Sequence, residues 1–221
     1  MKKRIHRILS FASLSAVLLG CSNGPDIEAL IVRVAAMKKG SAWEGYQTLQ
    51  TATQVLNQQS TFTALNNALG FGPNEAVKLR LQEAQYRQLA IAASSLRPEA
   101  VIELYKHNHT QTLDPLRMKL ASMVVAVARE KEGEKLGVEF LQVATDIALR
   151  GTFFPQDLKA GQELGIKRWS IGDKSAAFAL AEISRLQGNQ DNAFAWALRT
   201  GSAEFINDYQ VRKSTSHQPS S

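Results

Sequence analysis

Apolar residues recur along most of this 221-residue chain at the spacing of helices that face a core on one side. Ile27, Leu30, Ile31, Val34 and Ala35 fall at i, i+3, i+4, i+7 and i+8, one face of a 3.6-residue turn. Gly40 follows as the expected C-terminal cap. Ser41 with Glu44 three residues on reads as a capping box, opening a second helix through Gln47, Leu49 and Val55. From 57 to 73 the composition shifts to Gln, Asn, Ser, Thr and Gly, a loop with one short helix over 62–69. A longer helix is expected over about 74–93. Pro98 then opens another at a first-turn position, where its missing N–H costs little. Asp114 and Pro115 supply an N-cap and first turn for a helix that buries Leu116, Leu120, Met123, Val124 and Val127 and closes at Gly133. Further helices are expected over 134–149, 155–169, 174–187 and 192–200, with Gly151, Gly172, Gly188 and Gly201 between or after them. No stretch alternates at period two, and connections of two to six residues favour antiparallel neighbours. The pattern therefore predicts an all-α chain of antiparallel helical hairpins over 26–211. Residues 212–221 have no apolar side chain to bury and read as a disordered tail.

The amino terminus follows a different rule. Lys2, Lys3, Arg4 and Arg7 stand without an acid before an apolar run over 8–20, the layout of a secretory signal. At thirteen residues the run is too short to span a bilayer, which takes about 20 apolar residues. It ends Leu18-Leu19-Gly20-Cys21, which resembles the lipobox of bacterial lipoproteins. The resemblance implies cleavage of 1–20, acylation of Cys21 as the new amino terminus, and a short linker over 21–25. Cys21 is the only cysteine, so it has no disulfide partner within the chain. Acyl chains contribute about 0.8 kcal/mol per buried methylene, enough together for a near-permanent anchor. In such lipoproteins an aspartate after the cysteine marks inner-membrane retention. Ser22 stands there, so the resemblance points to the periplasmic face of the outer membrane.

Removal of the signal changes the charge picture. Four of the 26 bases leave with it, so 22 bases face 20 acids and the net charge falls from +6 to +2. Charges of both signs are interspersed, without the basic stripe of a nucleic-acid-binding domain. Nucleic acid is excluded as a partner. No cysteine remains in the mature part, whose stability must come from an ordinary hydrophobic core.

Helices of this length joined by short turns prompt a search for internal repetition. Gly172-Asp173, Ala176, Leu180, Ala181, Gly188, Asp191, Ala193, Trp196 and Gly201 follow one another at the spacing of a helical hairpin. A weaker copy precedes them in Ala144, Ala148, Gly151, Asp157 and Ala160. Ala144 and Ala148 lie 33 residues before Ala177 and Ala181. This stretch resembles a tetratricopeptide repeat or its Sel-like relatives. The resemblance implies a short α-solenoid with hairpins over about 134–201 and a concave surface for a protein partner. Two departures stand against it: Ser184 occupies a usual aromatic position, and the stretch from Trp196 to Gly201 is short for a Sel-like second helix. An irregular helical bundle burying the same faces is the alternative.

Chemistry is sparse. His107-Asn108-His109 is the one close histidine pair, and residues two apart on a helix point away from each other. The run Glu130, Lys131, Glu132, Glu134 and Lys135 reads as a solvated helix end. No P-loop, dinucleotide fingerprint or nucleophile elbow occurs, so no catalytic residue, metal ligand or cofactor is assigned. Phe153 and Phe154 fall in a connection between helices, and Trp169 and Trp196 at helix ends, places where aromatics serve either as staples or as partner anchors. These four are the candidate partner-binding residues. The reading that results is a non-enzymatic adaptor in a cell-envelope assembly such as a secretion, conjugation or pilus system. The alternative is an envelope enzyme or small-ligand-binding protein with a pocket between helices, near Glu103 and His107.

Overall fold

A computed structural model describes residues 24–58, 75–106 and 111–216. Cys21, Ser22, His107, His109 and the expected short helix over 62–69 lie outside the described residues. Among the described residues all regular structure is helical, as the pattern predicts. The contacts divide the chain into two compact units, Met1–Ser95 and Leu96–Ser221, whereas the pattern treats 26–211 as one helical stretch.

The first unit contains α1 (Gly24–Ala35), α2 (Ala42–Gln58) and α3 (Glu75–Ser94). Ile27, Leu30 and Val34 of α1 meet Leu49, Ala52 and Leu56 of α2 and Leu81 of α3 in one buried cluster. The i, i+3, i+4, i+7 stripe thus does what its spacing predicts, except that Ala35 is exposed. Gly40 is not the cap of α1, which ends at Ala35. It lies instead within a 3-10 turn, Lys39–Ser41, that leads straight into α2. Polar side chains of α3 close the backbone of its neighbours: Gln88 Nε2 donates to the carbonyl of Val34 at 3.4 Å, and Gln85 Nε2 to that of Leu49 at 2.9 Å.

The second unit runs through α4 (Pro98–Lys106), α5 (Asp114–Glu130), the single turn α6 (Gly133–Leu136), α7 (Val138–Arg150), α8 (Leu158–Ser170), α9 (Ala176–Leu186), α10 (Gln190–Thr200) and α11 (Ala203–Ser216). From α7 onward each helix packs on the next, and α7 also touches α4, α5 and α9. One helix was expected over 134–149. Gly137, at φ 79°, breaks it into α6 and α7, because that conformation stops a helix and suits glycine alone.

The start of α5 also departs from the expectation. Asp114 is not the N-cap; a 3-10 turn, Gln111–Leu113, precedes the helix and Leu113 holds the cap position. The Asp114 carboxylate instead pairs with Arg117 at 2.6 Å. Arg117 is buried, its Nε donating to the carbonyl of Leu104 at 2.8 Å, while Met123, expected inside, is 44% exposed. Burying a hydrogen-bonded arginine rotates the inner face of α5 onto Arg117, Leu120, Ala121, Val124, Val125 and Ala128. Gly133 does not close α5, which ends at Glu130. The carbonyls at that end are collected by α8: Lys167 Nζ donates to those of Ala128, Arg129 and Lys131 at 2.7, 2.7 and 2.9 Å. A cation at a helix C-terminus answers both the orphan acceptors and the dipole.

The small residues of the repeat pattern lie where helices approach. Ala144, Ala148, Ala177 and Ala181 are fully buried, as are Ala160 and Ala193 at the same spacing. Side chains at equivalent helix starts cap alike: Asp157 accepts from the N–H of Ala160 at 2.9 Å and Asn189 from that of Asn192 at 3.0 Å. On α8, Gly165 faces Leu180 of α9 so closely that a Cβ would come within 2.7 Å of the leucine Cδ2. The expected tail is corrected in part. Residues 212–216 belong to α11, whose Tyr209 is buried against Ala181, Ala193 and Ala197, with Phe205 beside it. Residues 217–221 lie outside the described residues.

Candidate functional site

Two places in the second unit gather the residues that could meet a partner or ligand. The first is built by α8, α9 and α10. Trp169, in the last turn of α8, and Trp196, on α10, meet edge to face with ring centroids 5.4 Å apart and planes at 76°. Each indole carries a cation: Lys174 Nζ stands 4.4 Å from the Trp169 ring centre and the Arg199 guanidinium 4.9 Å from that of Trp196. Both tryptophans remain half-buried. Arg199 lies three residues after Trp196, so the helix itself sets that contact. Ile166, one turn before Trp169, is 48% exposed, and Leu198 is 52% exposed. The loop that presents Lys174 is fixed from inside, since buried Arg168 holds Asp173 at 2.8 Å and Asp173 accepts from the backbone and hydroxyl of Ser175.

The second place is a half-open cleft of about 400 Å³ beside α4 and α7. Gly151, in left-handed conformation at φ 69°, ends α7 and turns the chain into the connection that holds both phenylalanines. Phe153 folds back and meets Tyr105 of α4 edge to face at 5.8 Å, with the Arg117 guanidinium 5.7 Å from its ring centre. Phe154 is half-buried in the same connection. The Tyr105 hydroxyl donates to the carbonyl of Arg117, and burial pushes its pKa well above the ordinary phenol value. From α7 the lining takes Gln142, Asp146 and Arg150 with Val143 and Ile147, and Thr152 follows the helix. Burial raises the pKa of Asp146 against the opposing pull of Arg150 and Arg168.

Comparison with protein-family models, curated proteins and solved structures gives no significant match.

Of the four aromatic candidates, the fold brings Trp169 to Trp196 and places Phe153 in a different site, on Tyr105. Sequence reading missed the cations on the indoles and the polar row of the cleft. The row was visible in principle, because Gln142, Asp146 and Arg150 recur every four residues. Tyr105 and Lys174 reach their partners from other elements and left no local signal. Near the acidic run, Lys135 and Glu132 form an exposed ion pair at 2.8 Å. No described helix is long and apolar enough to cross a membrane.

Proposed function

We propose that this chain is a non-enzymatic adaptor of the bacterial cell envelope, anchored through lipid on Cys21 to the periplasmic face of the outer membrane. In this reading Ser22 directs sorting. The hairpins α7–α8 and α9–α10 act as a short solenoid of tetratricopeptide or Sel-like type that binds a protein partner. The observation that carries the partner surface is the Trp169–Trp196 pair, half-buried and flanked by Lys174 and Arg199. Two indoles with a cation on each offer apolar area and positive charge together, which fits an acidic segment bearing apolar side chains. Exposed Ile166 extends the apolar area along α8.

The test is crosslinked capture from envelopes with the lipidated protein, comparing wild type with Lys174→Glu/Arg199→Glu, which leaves both rings in place. The charge-reversed protein should lose at least about tenfold in capture of the partner, the loss expected for two reversed contacts at an interface. Trp196→Ala should lose more, in line with hot-spot truncations of about 2 kcal/mol or above. Undiminished capture by both variants would overturn this assignment of the surface.

A further inference from the structure

The cleft beside α4 and α7 is separate from the tryptophan pair, and its lining is chemically consistent. Gln142, Asp146 and Arg150 stand at i, i+4 and i+8 on α7. At 1.5 Å rise per residue they form a row about 12 Å long on one helix face. Thr152 lies just beyond the helix end. Among the described residues none of these four side chains makes a hydrogen bond or ion pair, although Asp146 is half-buried. Polar groups partly withdrawn from water normally have partners in the fold. Gln142 and Asp146 are such half-buried groups, without a hydrogen bond among the described residues and, for Asp146, with only the through-space pull of Arg150 and Arg168, whereas Arg150 and Thr152 are exposed; together they offer their polar atoms to the cleft. The lining also includes an aromatic pair, with Phe153 edge to face with Tyr105 and the Arg117 guanidinium over its ring.

We propose that this cleft binds an oligosaccharide. A sugar ring has a C–H face that lies against aromatic rings and a rim of hydroxyls that both donate and accept. The cleft supplies both kinds of group, the rings of Phe153 and Tyr105 together with an amide, a carboxyl, a guanidinium and a hydroxyl. Asp146 and Arg150 offset each other, so the lining does not select an ion by net charge. The polar share of the wall is too large for an acyl chain, and the half-open shape admits a length of polymer.

The experiment is ligand-observed saturation-transfer NMR, followed by calorimetry, on the mature full-length protein. The probes are the β-1,4-linked N-acetylglucosamine tetramer, cellotetraose and maltotetraose, with an uncharged tetrapeptide as the competing class. Wild type should show saturation transfer from at least one tetrasaccharide, and the N-acylated and unsubstituted probes separate the two kinds of glycan. Asp146→Leu should weaken binding about tenfold or more, the expected effect of losing hydrogen bonds to a charged group. Asp146→Asn, which still donates and accepts, should retain most of it. Phe153→Ala should abolish transfer, and Asp146→Leu keeps the test valid should the phenylalanine variant unfold. Absence of transfer from all three tetrasaccharides would overturn the proposal. So would transfer indifferent to Asp146→Leu, or a tetrapeptide that binds in place of the sugars. Lys174→Glu/Arg199→Glu should bind the tetrasaccharide as wild type does, so failure of the adaptor surface and failure of the cleft are read separately.

Discussion

Arg168 and Asp173 are both withdrawn from water, and together they hold the corner between α8 and α9. Burial alone would push the Asp173 carboxyl up, but hydrogen bonds from Ser175 and Arg168, with the arginine charge, hold it below the usual carboxylate value. Its folded pKa is therefore lower than its unfolded one. The stability it contributes is complete above the ordinary carboxylate pKa of about 3.9 and is lost as pH falls through the depressed value. Asp173→Asn leaves a buried guanidinium without its counter-charge, which should cost about 3 to 5 kcal/mol at pH 7. Urea denaturation at pH 7 and in the acid range checks both parts, since the variant should also lose this portion of the acid sensitivity. Asp146 has the opposite sign: its raised pKa makes ionisation a cost that is present above the raised value and relieved below it. Lys167 gives a second prediction. Lys167→Met keeps much of the stem but leaves three carbonyls at the end of α5 without their donor, and should cost about 1.5 to 3 kcal/mol. Lys167→Arg should not restore it fully, because a planar fork does not serve three converging acceptors as an ammonium does. Denaturation midpoints of the two variants decide the matter.

Among the elements, α11 is the one that sequence reading did not foresee as a helix. Its apolar residues are few and its last turns are polar, so periodicity over the segment is weak. What makes it a packed helix is Tyr209, buried against α9 and α10, whose hydroxyl donates to Glu182 Oε2 at 3.0 Å while Arg185 holds the same carboxylate. Phe205 lies tilted against Tyr209, ring centres 4.8 Å apart, and meets Phe178 edge to face at 4.9 Å. Tyr209→Phe removes only the hydroxyl and should cost about 1 to 3 kcal/mol. Tyr209→Ala empties the site and should cost about 3 to 5 kcal/mol. Equal stability of the two variants in chemical denaturation would mean that the ring contributes nothing. Where apolar spacing is strong, as in Ile27 to Val34, the helix and its inner face were legible, whereas in α5 the helix was legible but its inner face turned to take in Arg117 and leave Met123 exposed. Glycine and aspartate were harder to read as punctuation. Gly40, Gly133 and Asp114 each have the right identity for a boundary, yet a 3-10 turn, a close packing contact and an ion pair claim them. The spacing of the buried alanines was legible because one residue type at one period carries it. The cleft was not, because it forms only where Phe153, in the connection after α7, folds back onto Tyr105 of α4.

At the scale of the whole molecule the two compact units differ in what they can be asked. The first begins at an element three residues after Cys21, and an extended chain covers at most about 3.6 Å per residue. Acylation at Cys21 would therefore bring the start of α1 to within roughly 11 Å of the membrane surface. Cys21→Ser should abolish lipid attachment and leave precursor or soluble periplasmic protein, as mass spectrometry and membrane fractionation would record. Ser22→Asp should move the protein toward the inner membrane in a host that sorts by the second residue. Neither change touches the second unit, so capture by the tryptophan surface and sugar binding in the cleft should survive in both. The ring contacts of α11 carry one more consequence. Phe205 and Tyr209 cover the buried alanines Ala181, Ala193 and Ala197 of α9 and α10, so another helix could reach that surface only in their place. A longer descendant of this protein could not grow by adding units after Thr200 without displacing α11.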